Sequence, residues 1–252
     1  EERVAADRER ILGADHPDTL TARVNLAVSY QQAGRTSEAI DIEERVAADR
    51  ERILGAEHPD TLTARANLAL SYQQAGRRND AIELMKEVAA DRERILGADH
   101  SSTSTARINL ASAYREAGQD DEAIALLERV AADRERLLGV DHLDTLSARA
   151  HLAISYWEVG RTSEAIDIEE GVAADRERIL GEDHADTLTA RANLAASYQQ
   201  AGRMSEAIAL LERVVADRER ILGAEHPDTL AARTALAAAS QEVTRPQDGQ
   251  AG

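Results

Sequence analysis

Apolar residues recur at helical spacing in one stretch of the chain, at Leu20, Val24, Ala27, Tyr30 and Ala33. This spacing places the apolar side chains on one face of an α-helix and predicts a first helix over about 19–33. Asp18 is the predicted N-cap, because its carboxylate can accept from the free amides of the first helical turn. Gly34 is predicted to end the helix in the left-handed conformation that is common at helix C-termini.

A second amphipathic stretch predicts another helix over about 38–54, which Gly55 ends. Its predicted N-cap is a column of favoured capping residues that recurs every 42 residues: Ser37, Asn79, Asp121, Ser163 and Ser205. The side chains predicted to be buried on this helix are Ile40, Val46, Ala47, Ile53 and Leu54. Because the connecting loop is short, the two helices are predicted to pack as antiparallel neighbours.

The helix pair repeats along the whole chain. Eleven of the fourteen glycines are spaced 21 residues apart: Gly13, Gly34, Gly55, Gly76, Gly97, Gly118, Gly139, Gly160, Gly181, Gly202 and Gly223. Residues 1–42 and 43–84 are identical at 34 of 42 positions, and 252 residues make six periods of 42. Such a period is typical of stacked repeats, which bury together the faces that one unit cannot bury alone. Since Glu1 aligns with Glu43, we expect a fragment that begins inside a second helix and contains five complete hairpins.

The composition narrows the fold and the chemistry. Aromatic residues make up 2% of the chain, cysteine is absent, and strong helix formers dominate, which argues against a sheet protein, a disulfide framework or a thiolate site. No apolar run reaches the roughly 18 residues of a membrane span, and no signal peptide precedes the repeats, so a cytoplasmic protein is expected. The net charge of −17 disfavours nucleic acid and anionic membranes as partners.

Six of the seven histidines share one column, which invites a metal or acid–base interpretation: His16, His58, His100, His142, His184 and His226. One histidine per 42 residues is too sparse for two neighbours to ligate one metal at Zn–N distances of about 2 Å, so a structural role in the loop is predicted. No catalytic triad, phosphate-binding loop or metalloprotease motif occurs. The sequence therefore predicts no catalytic residues, no metal, no cofactor and no enzyme activity.

Five residues of the first hairpin, Leu26, Ala27, Tyr30, Gly34 and Ala39, stand in the order L-A-x2-Y-x3-G-x4-A. This order resembles the tetratricopeptide repeat (TPR) pattern, with Ala27 where glycine is often found. The 42-residue unit is similar to the repeats of kinesin light chains and of bacterial TPR proteins of the same type. The resemblance implies an all-α fold over 1–243, a right-handed α-solenoid of antiparallel helix pairs with about 12 helices. A disordered tail is predicted at 244–252.

The resemblance also implies that the first helix of each repeat lines a concave groove, which binds a peptide or a segment of a protein partner. The residues that it places in the groove are Asn25, Asn67, Asn109, His151, Asn193, Arg115, Trp157, Gln31, Gln73 and Gln199. Asparagine side chains can donate to and accept from the backbone of an extended peptide. Trp157, the only tryptophan, is a candidate binding hot spot, and the alternative is that it merely covers the apolar floor of the groove.

Two charged columns are complete in all six repeats: Arg23, Arg65, Arg107, Arg149, Arg191 and Arg233, and Asp7, Asp49, Asp91, Asp133, Asp175 and Asp217. Our hypothesis is that they pair between repeats, so that Asp49 pairs with Arg65 of the next hairpin and fixes the stacking register. The alternative is two solvated charged columns. The sequence thus predicts a protein-interaction scaffold. A hypothesis of a different class is head-to-tail self-association through the unpaired terminal helices.

Overall fold

The computed structural model describes residues 1–244, and within them it contains twelve α-helices and no β-strand. The helices are α1 (Glu2–Leu12), α2 (Pro17–Gln32), α3 (Thr36–Leu54), α4 (Pro59–Gln74), α5 (Arg78–Leu96), α6 (Ser101–Glu116), α7 (Asp120–Leu138), α8 (Leu143–Glu158), α9 (Thr162–Leu180), α10 (Ala185–Gln200), α11 (Met204–Leu222) and α12 (Pro227–Thr244). The even-numbered helices are the first helices of the repeats, and the odd-numbered ones are the second helices. This confirms the prediction of an all-α solenoid built from helix pairs.

The chain divides into two compact units, Glu1–Leu126 and Leu127–Gly252, and the division falls within α7. In each unit, consecutive helices pack against each other. A single array over 1–243 stays a prediction. The predicted tail at 244–252 lies outside the described residues, apart from Thr244, which is the last residue of α12.

Each first helix begins one residue after a histidine, and the prediction that Asp18 is the N-cap is wrong. Pro17 is the first residue of α2, and the Nδ1 atom of His16 accepts from the backbone N–H of Asp18 at 3.2 Å. The same bond recurs in every repeat, at His58, His100, His142, His184 and His226. A neutral imidazole has one acceptor nitrogen, so it can replace the usual capping oxygen. The histidine column therefore caps helices.

Replacing His58 by alanine is expected to lower the free energy of unfolding by about 1 kcal/mol, because the amide of Asp60 loses its 3.1 Å acceptor. His58→Asn keeps a capping side chain and should stay within about 0.5 kcal/mol of the wild type. Urea unfolding of the wild type and both variants measures the difference. Equal losses in the two variants would show that the imidazole acts through packing and not as a cap.

The first helices α2, α4, α6, α8 and α10 each end at a glycine in the left-handed region, as predicted. In the first hairpin, Gly34 has φ +74° and its N–H donates to the carbonyl oxygen of Gln31, while the N–H of Arg35 donates to that of Tyr30. These two bonds form a Schellman motif, which a residue with a Cβ atom would strain. The guanidinium of Arg35 lies 4.1 Å from the centre of the Tyr30 ring, a cation–π contact that closes the turn.

The second helices begin earlier than predicted, and the Ser37 column does not supply their N-caps. Helix α3 starts at Thr36, and its N-cap is Arg35, whose side chain makes no capping bond. Arg35 instead donates to the carboxylate of Glu38 at 3.0 Å. The turn after Gly34 is so tight that the helix restarts before Ser37 is reached, which leaves Ser37 inside the first helical turn.

Buried apolar side chains of consecutive helices form the core of each unit. In the first unit, Ile40, Val46 and Ala47 of α3 pack with Ala64 and Leu68 of α4. In the second unit, the matching cluster is Leu146, Ile166, Val172, Ala173, Ala190 and Leu194.

The prediction that Ile53 and Leu54 are buried is wrong, since both are exposed. The guanidinium of Arg50 donates to the carbonyl oxygen of Asp60, so α4 begins level with Arg50. The last turn of α3 therefore extends beyond the first turn of α4, which does not cover it.

The pairing of the arginine column differs from our hypothesis. Asp49 does not pair with Arg65. It lies 3.0 Å from Arg23 of the same hairpin, and Arg65 in turn lies 3.4 Å from Asp91. The alternative of two solvated charged columns is also wrong in the second unit, where the side chain of Arg191 is only 2% exposed.

The arginines pair with a glutamate, not with the aspartate, of the second helix that precedes them. The pairs are Glu9 with Arg23, Glu93 with Arg107, Glu177 with Arg191, and Glu219 with Arg233. This glutamate follows the aspartate by two residues, which is about 200° around an α-helix, so the two carboxylates face opposite neighbours. Arg23 and Arg191 thus each lie between an aspartate of their own hairpin and a glutamate of the helix before it.

Candidate functional site

The first helices present the predicted groove columns on a shared surface, which we call the first-helix surface. It is formed by α2, α4 and α6 in the first unit and, separately, by α8, α10 and α12 in the second. Between α4 and α6 this surface contains a pocket of about 300 Å³. The residues that line the pocket are Leu70, Gln73, Gln74, Asn109, Ser112 and Glu116. Asn109 and Gln73, two of the predicted site residues, therefore meet in one cavity.

The asparagine column stands free on this surface. Asn25 and Asn67 are exposed, Asn109 and Asn193 are half-buried, and none of these four side-chain amides makes a hydrogen bond within residues 1–244. Each amide carries two donors and an acceptor, which matches the alternating groups of a peptide backbone. A polar side chain that the fold does not use is available to a ligand.

Gln31, by contrast, is part of the fold. Its Nε2 atom donates to the carboxylate of Glu43 on α3 at 3.3 Å and to the hydroxyl of Ser71 on α4 at 2.5 Å. Gln199 bridges two first helices in a similar way, because its Nε2 atom donates to the backbone oxygen of Ala235 on α12 at 3.4 Å. These two predicted site residues hold helices together and are not free for a partner. Arg115 is half-buried and engages in an interaction of its own.

Gln73 occupies the same column as Gln31 but has lost its partners. One period after Glu43 and Ser71 stand Met85 and Ala113, neither of which can accept a hydrogen bond from the Gln73 amide through its side chain. The Oε1 atom of Gln73 is buried and has no hydrogen-bond donor among the described residues. A buried polar atom without a partner is costly, so its presence at the wall of a pocket marks a place where a ligand could donate to it.

Trp157 occupies this column in the fourth hairpin and is half-buried. Its indole N–H is buried without an acceptor in the described part of the chain, while its backbone oxygen accepts from the Nε2 atom of Gln200 at 3.2 Å. His151, about one and a half turns earlier, is exposed, and its backbone oxygen accepts from the hydroxyl of Ser155. The sequence therefore placed both on the correct helix, but Trp157 offers a partner only part of its ring.

Nothing in the described residues suggests a metal centre. No group of three or more histidine, cysteine, aspartate or glutamate side chains within residues 1–244 is arranged to hold an ion. In the same range, no helix is long and apolar enough to cross a membrane. The first-helix surface is made of amide and apolar side chains, such as Asn109, Gln73 and Leu70 at its pocket.

Comparison with known proteins agrees with the geometry. Two tetratricopeptide repeat models match the chain, one at 67–136 and 103–170 and the other at 19–60 and 187–228. A crystal structure of the nearly identical TPR-like repeats of a putative kinesin light chain from Podosopora anserina is 35% identical and has a TM-score of 0.70. The match covers 82% of our chain and 98% of that one. The chain belongs to the tetratricopeptide repeat family.

Two further solved structures are similar to this TPR chain. A single-substitution variant of the same Podosopora anserina repeats is 34% identical over 82% of our chain and 98% of that one, with a TM-score of 0.72. BtubC (BKLC) from P. vanneervenii is 21% identical and covers 90% of our chain and 91% of its own, with a TM-score of 0.71, and this likeness concerns the fold alone. No curated protein matches the TPR chain.

The groove prediction missed two buried glutamates of this TPR chain. Glu43 and Glu169 are both buried, in a column whose other members are Glu1, Met85, Leu127 and Leu211. Burial raises the pKa of both carboxyls, and the nearby hydroxyl of Ser71 or Ser197 opposes this effect. One oxygen of each carboxyl has no donor within the described residues. The sequence contained only a weak signal, because glutamates and apolar residues occur equally often in this column.

Proposed function

We propose that this TPR chain holds an extended segment of a protein partner on its first-helix surface. The TPR fold in general is a protein–protein interaction scaffold, and such repeats are generally not enzymes. For this chain we extend that role to a defined surface. Nucleic acid and anionic membranes are not the expected partners, because the net charge of −17 repels them.

One observation supports this proposal above the others: the free asparagine ladder. Asn25, Asn67 and Asn109 recur every 42 residues on α2, α4 and α6, and their amides have no hydrogen-bond partner within residues 1–244. Glutamines of the first helices, by contrast, are used to join helices. An extended peptide offers a backbone donor and acceptor at each residue, so a row of free amides can bind it without regard to its side chains.

The matching experiment uses randomised peptides displayed on phage, selected on the wild-type chain and then synthesised. Replacing Asn67 and Asn109 together by alanine should weaken binding of a selected peptide by about tenfold or more, because each lost hydrogen bond is worth about 0.5–1.5 kcal/mol. Fluorescence anisotropy of the labelled peptide measures the affinity. Asn79→Ala is the control, since Asn79 is an exposed asparagine on the second helix α5.

The proposal fails if the wild type selects no peptide, or if the Asn67/Asn109 variant and the Asn79 variant bind a selected peptide equally well.

Trp157→Ala tests the hypothesis that Trp157 is a binding hot spot, and it is measured on selected peptides that bind the second unit. Truncating a tryptophan hot spot costs about 2 kcal/mol or more, which is about 30-fold in affinity. An unchanged affinity would leave Trp157 as a cover for the surface beneath it.

Self-association is a second candidate, which exposed side chains on the terminal helices favour. Val4 on α1 is 45% exposed, whereas its counterpart Val46 is 1% exposed. Leu230 on α12 is 43% exposed, whereas its counterpart Leu188 is 3% exposed. A second copy could cover both helices by repeating the contact that first and second helices make within the chain. A molar mass that stays monomeric as the concentration rises would rule this out.

A further inference from the structure

The pocket between α4 and α6 differs from the rest of the first-helix surface in the chemistry of its walls. Elsewhere in the first unit, the Gln31 amide is used inside the fold, with Glu43 and Ser71 as its acceptors. At the pocket, Met85 and Ala113 occupy the equivalent positions, and the Oε1 atom of Gln73 is left buried without a donor among the described residues. The Gln73 side chain lines the pocket, so a ligand that enters can donate to this acceptor once the amide turns towards it.

A carboxylate stands at the same pocket. Glu116 lines it, in a column where the preceding repeats have Gln32 and Gln74. Glu116 is exposed and makes no ion pair or hydrogen bond within residues 1–244. The neighbouring Arg115 does not neutralise it, because Arg115 belongs to the Gln31 column, about 100° away around the helix, and has an interaction of its own.

The remaining walls suit the stem of a long side chain. Leu70 is exposed at the pocket, and Ser112 lies one turn before Glu116 on α6. Lysine and arginine place their methylene stems on apolar surface and keep the charged end among acceptors. A volume of about 300 Å³ is enough for one such side chain.

From this arrangement we infer that the pocket binds the cationic side chain of an arginine or lysine in the partner segment. The inference rests on the proposed function, since it names the chemistry of a residue in the segment that the first-helix surface holds. The ligand's N–H groups donate to Gln73 Oε1 and to the Glu116 carboxylate, its stem covers Leu70, and the free amide of Asn109 contacts the adjoining backbone. The overall charge of −17 attracts a basic segment and adds to its rate of association.

The test compares the peptides that the wild type and three variants select from the same phage-displayed library. The variants are Glu116→Gln, Gln73→Met and, as a control, Glu158→Gln, which removes an equal charge from the same column one period later. We expect wild-type and Glu158→Gln selections to contain arginine or lysine at one fixed position. Selections on Glu116→Gln and Gln73→Met should lose that preference. Both substitutions keep the size of the side chain, and circular dichroism melting shows whether the variants fold.

Synthetic peptides measure how much the charge of the selected arginine or lysine contributes to affinity. Replacing the selected arginine by citrulline, or the selected lysine by acetyl-lysine, removes the charge and should weaken binding to the wild type by about tenfold or more, the value of a charge-assisted hydrogen bond. In Glu116→Gln the charged and neutral peptides should bind within about twofold of each other.

The outcomes also separate this inference from the function on which it rests. Peptides that bind through Asn67 and Asn109 but carry no fixed cation would overturn the cationic pocket and leave the proposed function intact. A fixed cation whose contribution is the same in wild type and Glu116→Gln would place its acceptor elsewhere and would also overturn it. Selection of no peptide at all would overturn both.

Discussion

Replacing Arg191 by methionine should lower the free energy of unfolding by about 2–3 kcal/mol. The side chain of Arg191 is almost fully buried and lies 2.9 Å from Glu177 and 3.1 Å from Asp217. Removing one member of a buried ion pair costs about 3–5 kcal/mol when the remaining charge stays buried. Here the two acids retain contact with water, so the loss lies at or below the lower end of that range. Urea unfolding of the intact chain measures it.

A matched control separates burial from charge. Arg213 also lies near Glu177, at 3.9 Å, but its side chain is exposed. Arg213→Met should therefore change stability by less than about 1 kcal/mol, as surface ion pairs do. If both substitutions lower the free energy of unfolding equally, the burial of Arg191 does not contribute to stability.

A double-mutant cycle tests the register of the arginine column. Arg191 and Asp217 should show a coupling energy of about 1 kcal/mol or more, because they are in direct contact. Arg191 and Asp175 follow the pairing that the sequence suggested, and their coupling should be below about 0.5 kcal/mol. Asp175 instead pairs with Arg178 on its own helix. Strong coupling to Asp175 and none to Asp217 would contradict the structure.

Replacing Glu169 by leucine should raise the free energy of unfolding by about 1–3 kcal/mol at neutral pH, because it removes a buried carboxylate with one unpaired oxygen. Leucine is the residue of the fifth and third repeats in this column, at Leu211 and Leu127, and both are buried. The hydroxyl of Ser197 has no hydrogen-bond partner within the described residues, so the substitution takes no bond from it.

The gain should depend on pH in a defined direction. Burial holds the pKa of Glu169 above its ordinary value of 4.5, so the folded protein binds this proton more tightly than the unfolded chain does. The penalty for ionising the carboxyl is absent below the unfolded pKa and grows as the pH rises from about 4.5 towards the raised pKa of the folded state. The difference in stability between Glu169→Leu and the wild type should therefore be small at about pH 4 and larger at about pH 7.

Glu43→Leu provides the comparison within the same column. Gln31 donates to the carboxylate of Glu43 as well as to Ser71, and the substitution would remove one of these two acceptors, so the gain should be smaller than at Glu169. A loss of stability in Glu169→Leu at neutral pH, or a gain that is equal at both pH values, would contradict the role assigned to burial.

The period and the helix pairs follow from the sequence because the same local signals recur in most repeats. Leu20 and Tyr30 mark one face of α2, and Gly34 has few alternatives at φ +74°. The N-cap was misassigned because Asp18 is a favoured capping residue and histidine is not. The path of the loop before the helix determines whether His16 or Asp18 caps it. The apolar periodicity does not distinguish the two, because it is the same for either starting residue.

The site was harder to predict than the fold. The sequence placed Gln31, Gln73 and Gln199 together in one column, and nothing within that column distinguishes them. Their roles differ because the partners change: Glu43 and Ser71 accept from Gln31, while Met85 and Ala113 leave Gln73 without an acceptor. Only the packing of three helices shows which positions to compare. The predicted pairing of the arginine column was wrong for the same reason. The direction in which each carboxylate points around its helix determines which arginine it meets.

The sequence separation of the bonds between helices determines which insertions and deletions the fold tolerates. The recurring arginine and tyrosine bonds join residues 10, 26, 28 or 37 positions apart, for example Arg50 with Asp60, Arg23 with Asp49, Tyr72 with Glu44 and Arg52 with Asp15. Every one of these separations is shorter than the 42-residue period. Insertion or loss of one whole period therefore gives each donor an equivalent acceptor, whereas a change of any other length breaks several bonds at once. Recombination between near-identical repeats would lengthen or shorten the binding surface in steps of one helix pair.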